Sequence, residues 1–449
     1  MSRKGLPGLT AQIKDKLIQQ ALERRLRNAE RGESAPLPVR ATGDPEPVPE
    51  AHYRFDLHPG YQQIRIIRQG ADRLGIDSPF FKLHEGIAGA SSRIGDRDYV
   101  NFASYNYLAL SGHPEVNAAA KEAIDRYGTS VSASRLVSGE RPVHRQLEEA
   151  IAAAYGVDEA VTFVSGHAAN VTSIGHLFGP QDLILHDELI HNSVLQGIAL
   201  SGARRLPFAH NDWQALDGIL AQQRHHFQRV LIALEGIYSM DGDFPELPRF
   251  IEIKQRYRAF LMIDEAHSFG VMGAHGLGLR EHFGISGNEV DIWMGTLSKS
   301  LAGCGGYIAG ERALVEHLKF LAPGFLYSVG MSPPVAAASL AALRCLQREP
   351  ERVAALQKRG RYFLAQANAA GIDTGTSAGF AVVPAITGSS ISAARLAAAL
   401  FEKGINVQPI LYPAVPEKSA RLRFFISCQH SFEQLQDTVD ALAEAMRHL

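Results

Sequence analysis

Residues 260–267 read Phe260-Leu-Met-Ile-Asp264-Glu-Ala-His267, and residues 291–307 read Asp291-Ile-Trp-Met-Gly-Thr296-Leu-Ser298-Lys299-Ser-Leu-Ala-Gly303-Cys304-Gly305-Gly306-Tyr307. The first stretch is an apolar run that ends in an acid. In an open α/β sheet ligands bind beyond the carboxyl ends of the strands, so such a strand carries Asp264 to the edge of a crevice. An Asp in that place is equally well explained as a helix N-cap. The second stretch sets a lysine among hydroxyls where a strand runs into a glycine-rich turn. Glycines let a ligand approach the backbone, and hydroxyls bind phosphate oxygens. A desolvated lysine there can form a Schiff base with a carbonyl.

The surrounding pattern supports the sheet. Short apolar runs at Ala160–Val164, Leu183–Leu185 and Val230–Leu234 alternate with helical periodicities at Val143–Tyr155, Trp213–Gln223 and Phe250–Tyr257. That rhythm predicts βαβ units and a mainly parallel central sheet flanked by helices. The character changes near Met331–Pro334, where an Ala/Leu-rich helix over Val335–Leu346 leads into a smaller α+β region. Upstream, Leu9, Ile13, Leu17, Ile18, Ala21, Leu22 and Leu26 line one face of a helix. Five prolines then follow between residues 32 and 50, which reads as an extended linker. The expected divisions are a helix over 1–30, a linker over 31–52 and an N-terminal segment over 53–112 that packs on the active site. A large domain over 113–330 and a small one over 331–449 complete the chain.

The composition narrows the function. With 45 Lys+Arg against 47 Asp+Glu there is no basic excess, which argues against nucleic acid as the partner. Cys304, Cys345 and Cys428 are too few and scattered for a disulfide framework or a zinc cage. No apolar run approaches the roughly 20 residues a membrane span requires, and the N-terminus lacks a secretory core. A cytoplasmic chain without a metal site is expected.

A lone lysine is ordinarily a solvated surface group, and glycine-rich loops are common. The order of acid, lysine and hydroxyl-rich loop is more specific: it suits pyridoxal phosphate, with the lysine on its aldehyde and the acid on its ring nitrogen. Two more segments supply further pieces. Phe163-Val-Ser-Gly166-His167-Ala-Ala-Asn170 reads as strand, turn and helix start, whose free amides suit a phosphate. Leu185-His-Asp-Glu-Leu-Ile-His191 puts a histidine just past a strand, in position to stack on a flat ring, although position alone does not single it out among 18 histidines.

These segments, in this order, resemble the α-oxoamine synthases, fold-type I pyridoxal-phosphate enzymes. The resemblance runs from about Tyr99 to the C-terminus. Its further landmarks are Asn101-Phe-Ala-Ser-Tyr105-Asn-Tyr-Leu, Arg135-Leu-Val-Ser-Gly, Glu235-Gly-Ile-Tyr-Ser-Met-Asp-Gly-Asp and Arg421-Leu-Arg423. It implies Lys299 as the lysine that holds the cofactor, Asp264 as partner of the pyridinium nitrogen and His191 as the stacking histidine. His267 resembles the residue at the phenolic oxygen, and Ser239 the serine beside the cofactor. Gly166, His167, Thr296 and Ser298 match the phosphate site. Arg423 matches the group that grips the amino acid carboxylate, a bidentate task suited to guanidinium. Tyr105 and Ser134 fall at substrate-pocket positions. Tyr327-Ser328 matches a turn that reaches the phosphate from the neighbouring subunit, which implies a homodimer with shared active sites.

The implied reaction is a decarboxylating Claisen condensation of glycine, alanine or serine with an acyl thioester, giving an α-aminoketone, carbon dioxide and free thiol. Tyr105-Asn-Tyr-Leu and Pro79-Phe-Phe-Lys-Leu-His-Glu-Gly look like serine palmitoyltransferases and polyketide-associated relatives. The N-terminal helix and linker then suggest an acyl carrier protein as donor, against acyl-coenzyme A in a serine palmitoyltransferase. The competing readings are an aminotransferase or aldolase on the same scaffold, and a non-catalytic subunit, which the presence of Lys299, Asp264 and His191 opposes.

Overall fold

The computed structural model describes residues 48–73 and 78–448. The helix expected over 1–30, and the linker expected over 31–52 as far as residue 47, lie outside the described residues. The described residues up to Gly70 belong to one unit and those from Ala71 onward to a second. In the first, helical turns at Glu50–His52 and Phe55–Leu57 precede the start of the helix Pro59–Arg73. Arg54 donates to both Glu50 and Asp56 and so links the two turns.

In the second unit, β1 (His84–Glu85), β2 (Ser91–Ile94) and β3 (Arg97–Asn101) form an antiparallel ribbon. The main sheet follows: β4 (Glu159–Phe163), β5 (Leu183–Asp187), β6 (Arg204–Phe208), β7 (Val230–Glu235), β8 (Phe260–Asp264), β9 (Ile292–Thr296) and β10 (Gly306–Gly310). Their spatial order is β4-β10-β9-β8-β7-β5-β6. The five strands from β9 to β6 are mutually parallel, and β10 runs antiparallel to both its neighbours. The mainly parallel sheet expected from the sequence is present, and each of the four expected strands lies within one or two residues of an observed one.

Its strands are continuous apolar runs because both faces are covered. Along β7, Val230, Ile232 and Leu234 join one buried cluster while Leu231 and Ala233 join another. Trp293 of β9 is fully buried, and its indole N–H donates to the Gly287 carbonyl at 2.8 Å. Local signals set the helix ends. Pro142 opens the helix Pro142–Tyr155, where its missing N–H costs nothing, and Gly156 closes it in the left-handed region.

The helix Pro333–Arg348 introduces the C-terminal region, as its composition predicts. There β11 (Val382–Ile386), β12 (Ile405–Asn406), β13 (Gln408–Ile410) and β14 (Arg421–Phe425) follow. β11, β14 and β13 form an antiparallel sheet that carries Arg421 and Arg423, whereas β12 pairs in parallel with β3. Among the described residues no helix is long and apolar enough to cross a membrane.

Candidate active site

β7, β8 and β9 end side by side. In register, Glu235 lies opposite Asp264, and Asp264 opposite Met294. A cavity of about 230 Å³ opens at these carboxyl ends. Lys299, three residues past β9, lines it together with Asp264, His191, His267 and Glu235. Gly166, His167, Thr296 and Ser298 form another part of its wall, and Tyr105 contributes an aromatic ring whose centroid is 5.9 Å from Lys299 Nζ. Residues far apart in sequence therefore converge on one space.

The wall formed by Gly166 is suited to an anion. The helix Gly166–Leu177 begins there, capped by Ser165 Oγ, which accepts from the Ala168 amide at 2.9 Å. Its first amides have no partner within the helix. Thr296 Oγ donates to the Gly305 carbonyl at 2.9 Å and accepts from the Ser298 amide at 3.2 Å. Crowding requires glycine at 306, where a Cβ would stand 2.5 Å from Gly166 Cα, and a Cβ on Gly166 would press on Thr296 Oγ at 3.1 Å.

Opposite charges and burial set the titratable groups. Burial pushes the Lys299 amine down to about 8, opposed by Asp264 and Glu235, with Arg423 adding to the fall. Burial likewise lowers His191, against the pull of Asp264. Glu235 is pushed well above the usual carboxylate range by burial and by the neighbouring Asp264. Its Oε2 accepts from the Ser239 amide at 3.2 Å, and its Oε1 has no partner.

Asn170 organises the floor. Its amide group donates to Asp264 Oδ2 and to Ser193 Oγ, each at 2.8 Å. Asp264 also accepts from the Ala266 amide at 3.0 Å. Ser193 Oγ in turn lies 2.7 Å from His191 Nδ1, which also accepts from the Ser193 amide at 3.2 Å. An imidazole nitrogen that accepts a backbone N–H carries no proton, so the hydrogen of neutral His191 sits on Nε2.

The profile of the family described as "Aminotransferase class I and II" matches residues 97–442. An 8-amino-7-oxononanoate synthase from Fervidobacterium nodosum is 38% identical over 359 residues, covering 79% of this chain and 90% of the relative. A putative 8-amino-7-oxononanoate synthase from Desulforudis audaxviator is 41% identical over 350 residues, or 78% and 90% of the two chains. Among solved structures, a serine palmitoyltransferase from Sphingomonas wittichii superposes with a TM-score of 0.83 at 28% identity, covering 88% and 98%. A structure described as SPT with PLP internal aldimine gives 0.82 at 27%, covering 88% and 99%.

The chain belongs to the α-oxoamine synthase family. The fold-type I pyridoxal-phosphate transferase architecture expected from the sequence is the one observed.

Not every residue that the α-oxoamine synthase motifs single out lines the cavity. Arg423 lies at its margin: Nη1 donates to the Ser239 carbonyl at 3.1 Å, the guanidinium lies 4.4 Å from the Phe425 ring, and its buried Nε lacks a partner. Its charge still lowers Lys299, His191 and His267. Ser239 is buried but acts through its backbone, which joins Glu235 to Arg423. Ser134, expected at the substrate pocket, is absent from the cavity wall of its own chain. It sits where its carbonyl accepts the amides of Val137, Ser138 and Gly139 in the tight turn Arg135–Gly139. Ser328 is likewise absent from that wall, and its hydroxyl donates to the Val329 carbonyl at 3.2 Å. Asn170 and Glu235 lie within the quoted motifs, but sequence reasoning gave them no role. Strand register sets Glu235 beside Asp264, and the packing of helices on the sheet brings Asn170 to Ser193 and Asp264.

Arg423→Lys keeps a positive charge but loses the planar fork. A lost charge-assisted hydrogen bond of about 1.5–3 kcal/mol should raise the KM for the amino acid roughly 10-fold or more, with a smaller change in kcat. Steady-state kinetics with saturating acyl donor checks this.

Proposed function

We propose that the chain condenses a small α-amino acid with an acyl thioester, releasing carbon dioxide and free thiol and leaving an α-aminoketone. The observation that carries this reading is the meeting of Lys299, Asp264 and His191 in one cavity with the Arg423 guanidinium at its margin. The names of the relatives support the class: 8-amino-7-oxononanoate synthases and serine palmitoyltransferases.

The cofactor is pyridoxal 5'-phosphate, and the residues present fit it. The free amides of Gly166 and His167, with the hydroxyls of Thr296 and Ser298, suit its phosphate. Asp264 suits its ring nitrogen, His191 its ring face, and Lys299 its aldehyde. The unpartnered Glu235 Oε1, Asn170 Oδ1 and Arg423 Nε are buried polar atoms that a polar ligand would satisfy. When bound, the cofactor supplies an electron sink that stabilises negative charge at the amino acid's α-carbon.

The chain's own groups do the rest. Arg423 binds the amino acid carboxylate and fixes its orientation. Lys299 would be the group that takes the α-proton, a task matched to an amine near 8. Asp264, held by Asn170 and Ala266, keeps a proton at the ring nitrogen. His191 would cover the cofactor's ring, with its Nε2–H available to a substrate carbonyl oxygen.

The experiment supplies pooled glycine, alanine and serine, carboxyl-labelled, with carrier-bound and coenzyme A-bound acyl donors. Product mass and released labelled carbon dioxide are measured. An aminotransferase or aldolase would release no carbon dioxide and consume no thioester, and either result overturns the reading. We favour an acyl carrier protein as the donor, on the strength of the N-terminal segment and of the likeness of Pro79–Gly86 to polyketide-associated relatives. If so, deleting residues 1–50 should raise the KM for carrier-bound donor by about 10-fold while leaving the coenzyme A-bound donor unaffected. Equal kinetics would remove the docking role.

A homodimer with shared sites is part of the same proposal. Leu136, Val137 and Phe320 are large exposed apolar groups lining one cleft, and exposed Tyr327 and Val329 flank Ser328. Exposed apolar groups concentrated in this way mark an interface.

A further inference from the structure

Tyr107 and His267 are separated by 160 positions in sequence, yet the Tyr107 hydroxyl lies 2.7 Å from His267 Nδ1. Tyr107 is fully buried and His267 is 6% exposed. The imidazole also stacks near-parallel to the Phe425 ring at 5.9 Å, which fixes its plane. Nδ1 faces Tyr107, while the residue itself lines the cavity. The remaining ring nitrogen, Nε2, has no hydrogen-bond partner among the described residues.

One proton lies between the two groups, and its position follows from what each group can satisfy. Tyr107 has a single hydroxyl hydrogen and a single hydrogen-bond partner, His267. If Nδ1 carried the hydrogen and donated to the phenol, the phenol's own hydrogen would have no acceptor among the described residues, since the charged group nearby, the Arg423 guanidinium, is a donor only. An unmet buried donor of that kind is strongly disfavoured. If the phenol donates to Nδ1, every hydrogen in the pair is placed. Burial supports this arrangement from both sides. It raises Tyr107 far above the ordinary phenol range, so the phenol keeps its proton, and it holds His267 well below the ordinary histidine range, so the ring is neutral. The charges of Lys299 and Arg423 depress His267 further.

We infer that Tyr107 is a positioning residue which locks His267 in the Nε2–H form, making it a hydrogen-bond donor into the cavity that cannot act as a base. The tautomer rests on this chain's atoms alone. Its catalytic consequence rests on the function proposed above, where a fixed donor would face an oxygen that gains negative charge, leaving Lys299 as the proton acceptor. His191 reaches the same protonation pattern by a different route, through its helix-capping contacts.

Two measurements test this. Solid-state 15N spectra of histidine-labelled protein, with and without pyridoxal phosphate, should show a protonated Nε2 and an unprotonated Nδ1 for His267. The signal is assigned as the one lost in His267→Gln. In Tyr107→Phe the same ring should become a mixture of tautomers. A wild-type ring protonated at Nδ1 overturns the inference whether or not any variant folds. The second measurement is a double-mutant cycle on kcat. Tyr107→Phe should lower kcat about 10-fold with the KM for the amino acid unchanged, and should cost less than about 2-fold in the His267→Gln background. Equal losses in the two backgrounds would mean that Tyr107 does not act through His267. A protein that takes up no cofactor would sink the functional reading while leaving the first spectrum interpretable.

Discussion

Lys299→Ala is expected to abolish the near-visible absorbance of the purified protein together with its turnover. The proposed function gives the lysine two tasks, anchoring the cofactor's aldehyde and moving the α-proton. Loss of a positioned proton carrier alone costs about 10²–10⁴-fold, so a fall of at least about 10³-fold is expected once the anchor is gone as well. The same amine gives a pH signature. Only its neutral form attacks an aldehyde, and burial has pushed it down from 10.5 to about 8. Capture of pyridoxal phosphate by cofactor-free protein should therefore accelerate as pH rises and level off above about 8. Stopped-flow absorbance follows this directly. A capture rate still climbing steeply at pH 10 would mean that the amine is solvated, and full activity in the alanine variant would refute its assignment.

Asp264→Asn should separate binding from chemistry. The side chain keeps its size, and the contacts to Asn170 and Ala266 can rearrange around an amide oxygen. The variant should therefore still hold the cofactor and keep its absorbance. It should lose turnover by about 10²–10⁴-fold, because a neutral amide cannot keep a proton on the ring nitrogen and the ring then withdraws electrons poorly. Borohydride trapping and peptide mapping would confirm that Lys299 remains engaged. A kcat within about 10-fold of wild type would show that the ring nitrogen's proton contributes little here.

The parts of the site legible in sequence are those where a few adjacent residues carry the whole signal. Phe260 to Asp264 announces both its strand and its acid, and Thr296 to Gly306 announces lysine, hydroxyls and turn. The helix start at Gly166 is marked by its own Ser165 cap. Roles that depend on distant partners were not legible. Nothing near Glu235 signals that strand register sets it beside Asp264 and raises its proton affinity. Nothing near Tyr107 signals His267. Asn170 stood in plain view within a motif, yet its task is defined by Ser193 and Asp264, which only the fold brings within reach. Ser134 shows the converse limit, since a matching position does not fix which cavity, if any, a side chain reaches.

The close approach of Gly306 to Gly166 has a practical consequence for anyone diversifying this protein towards new donors. The obstacle at 2.5 Å is main chain, which cannot rotate aside as a side-chain tip would. Even a single methyl at Gly306 must therefore separate the antiparallel strand from the helix start. Libraries are better spent on Tyr105, which is 43% exposed and free to change size, with both glycines held constant.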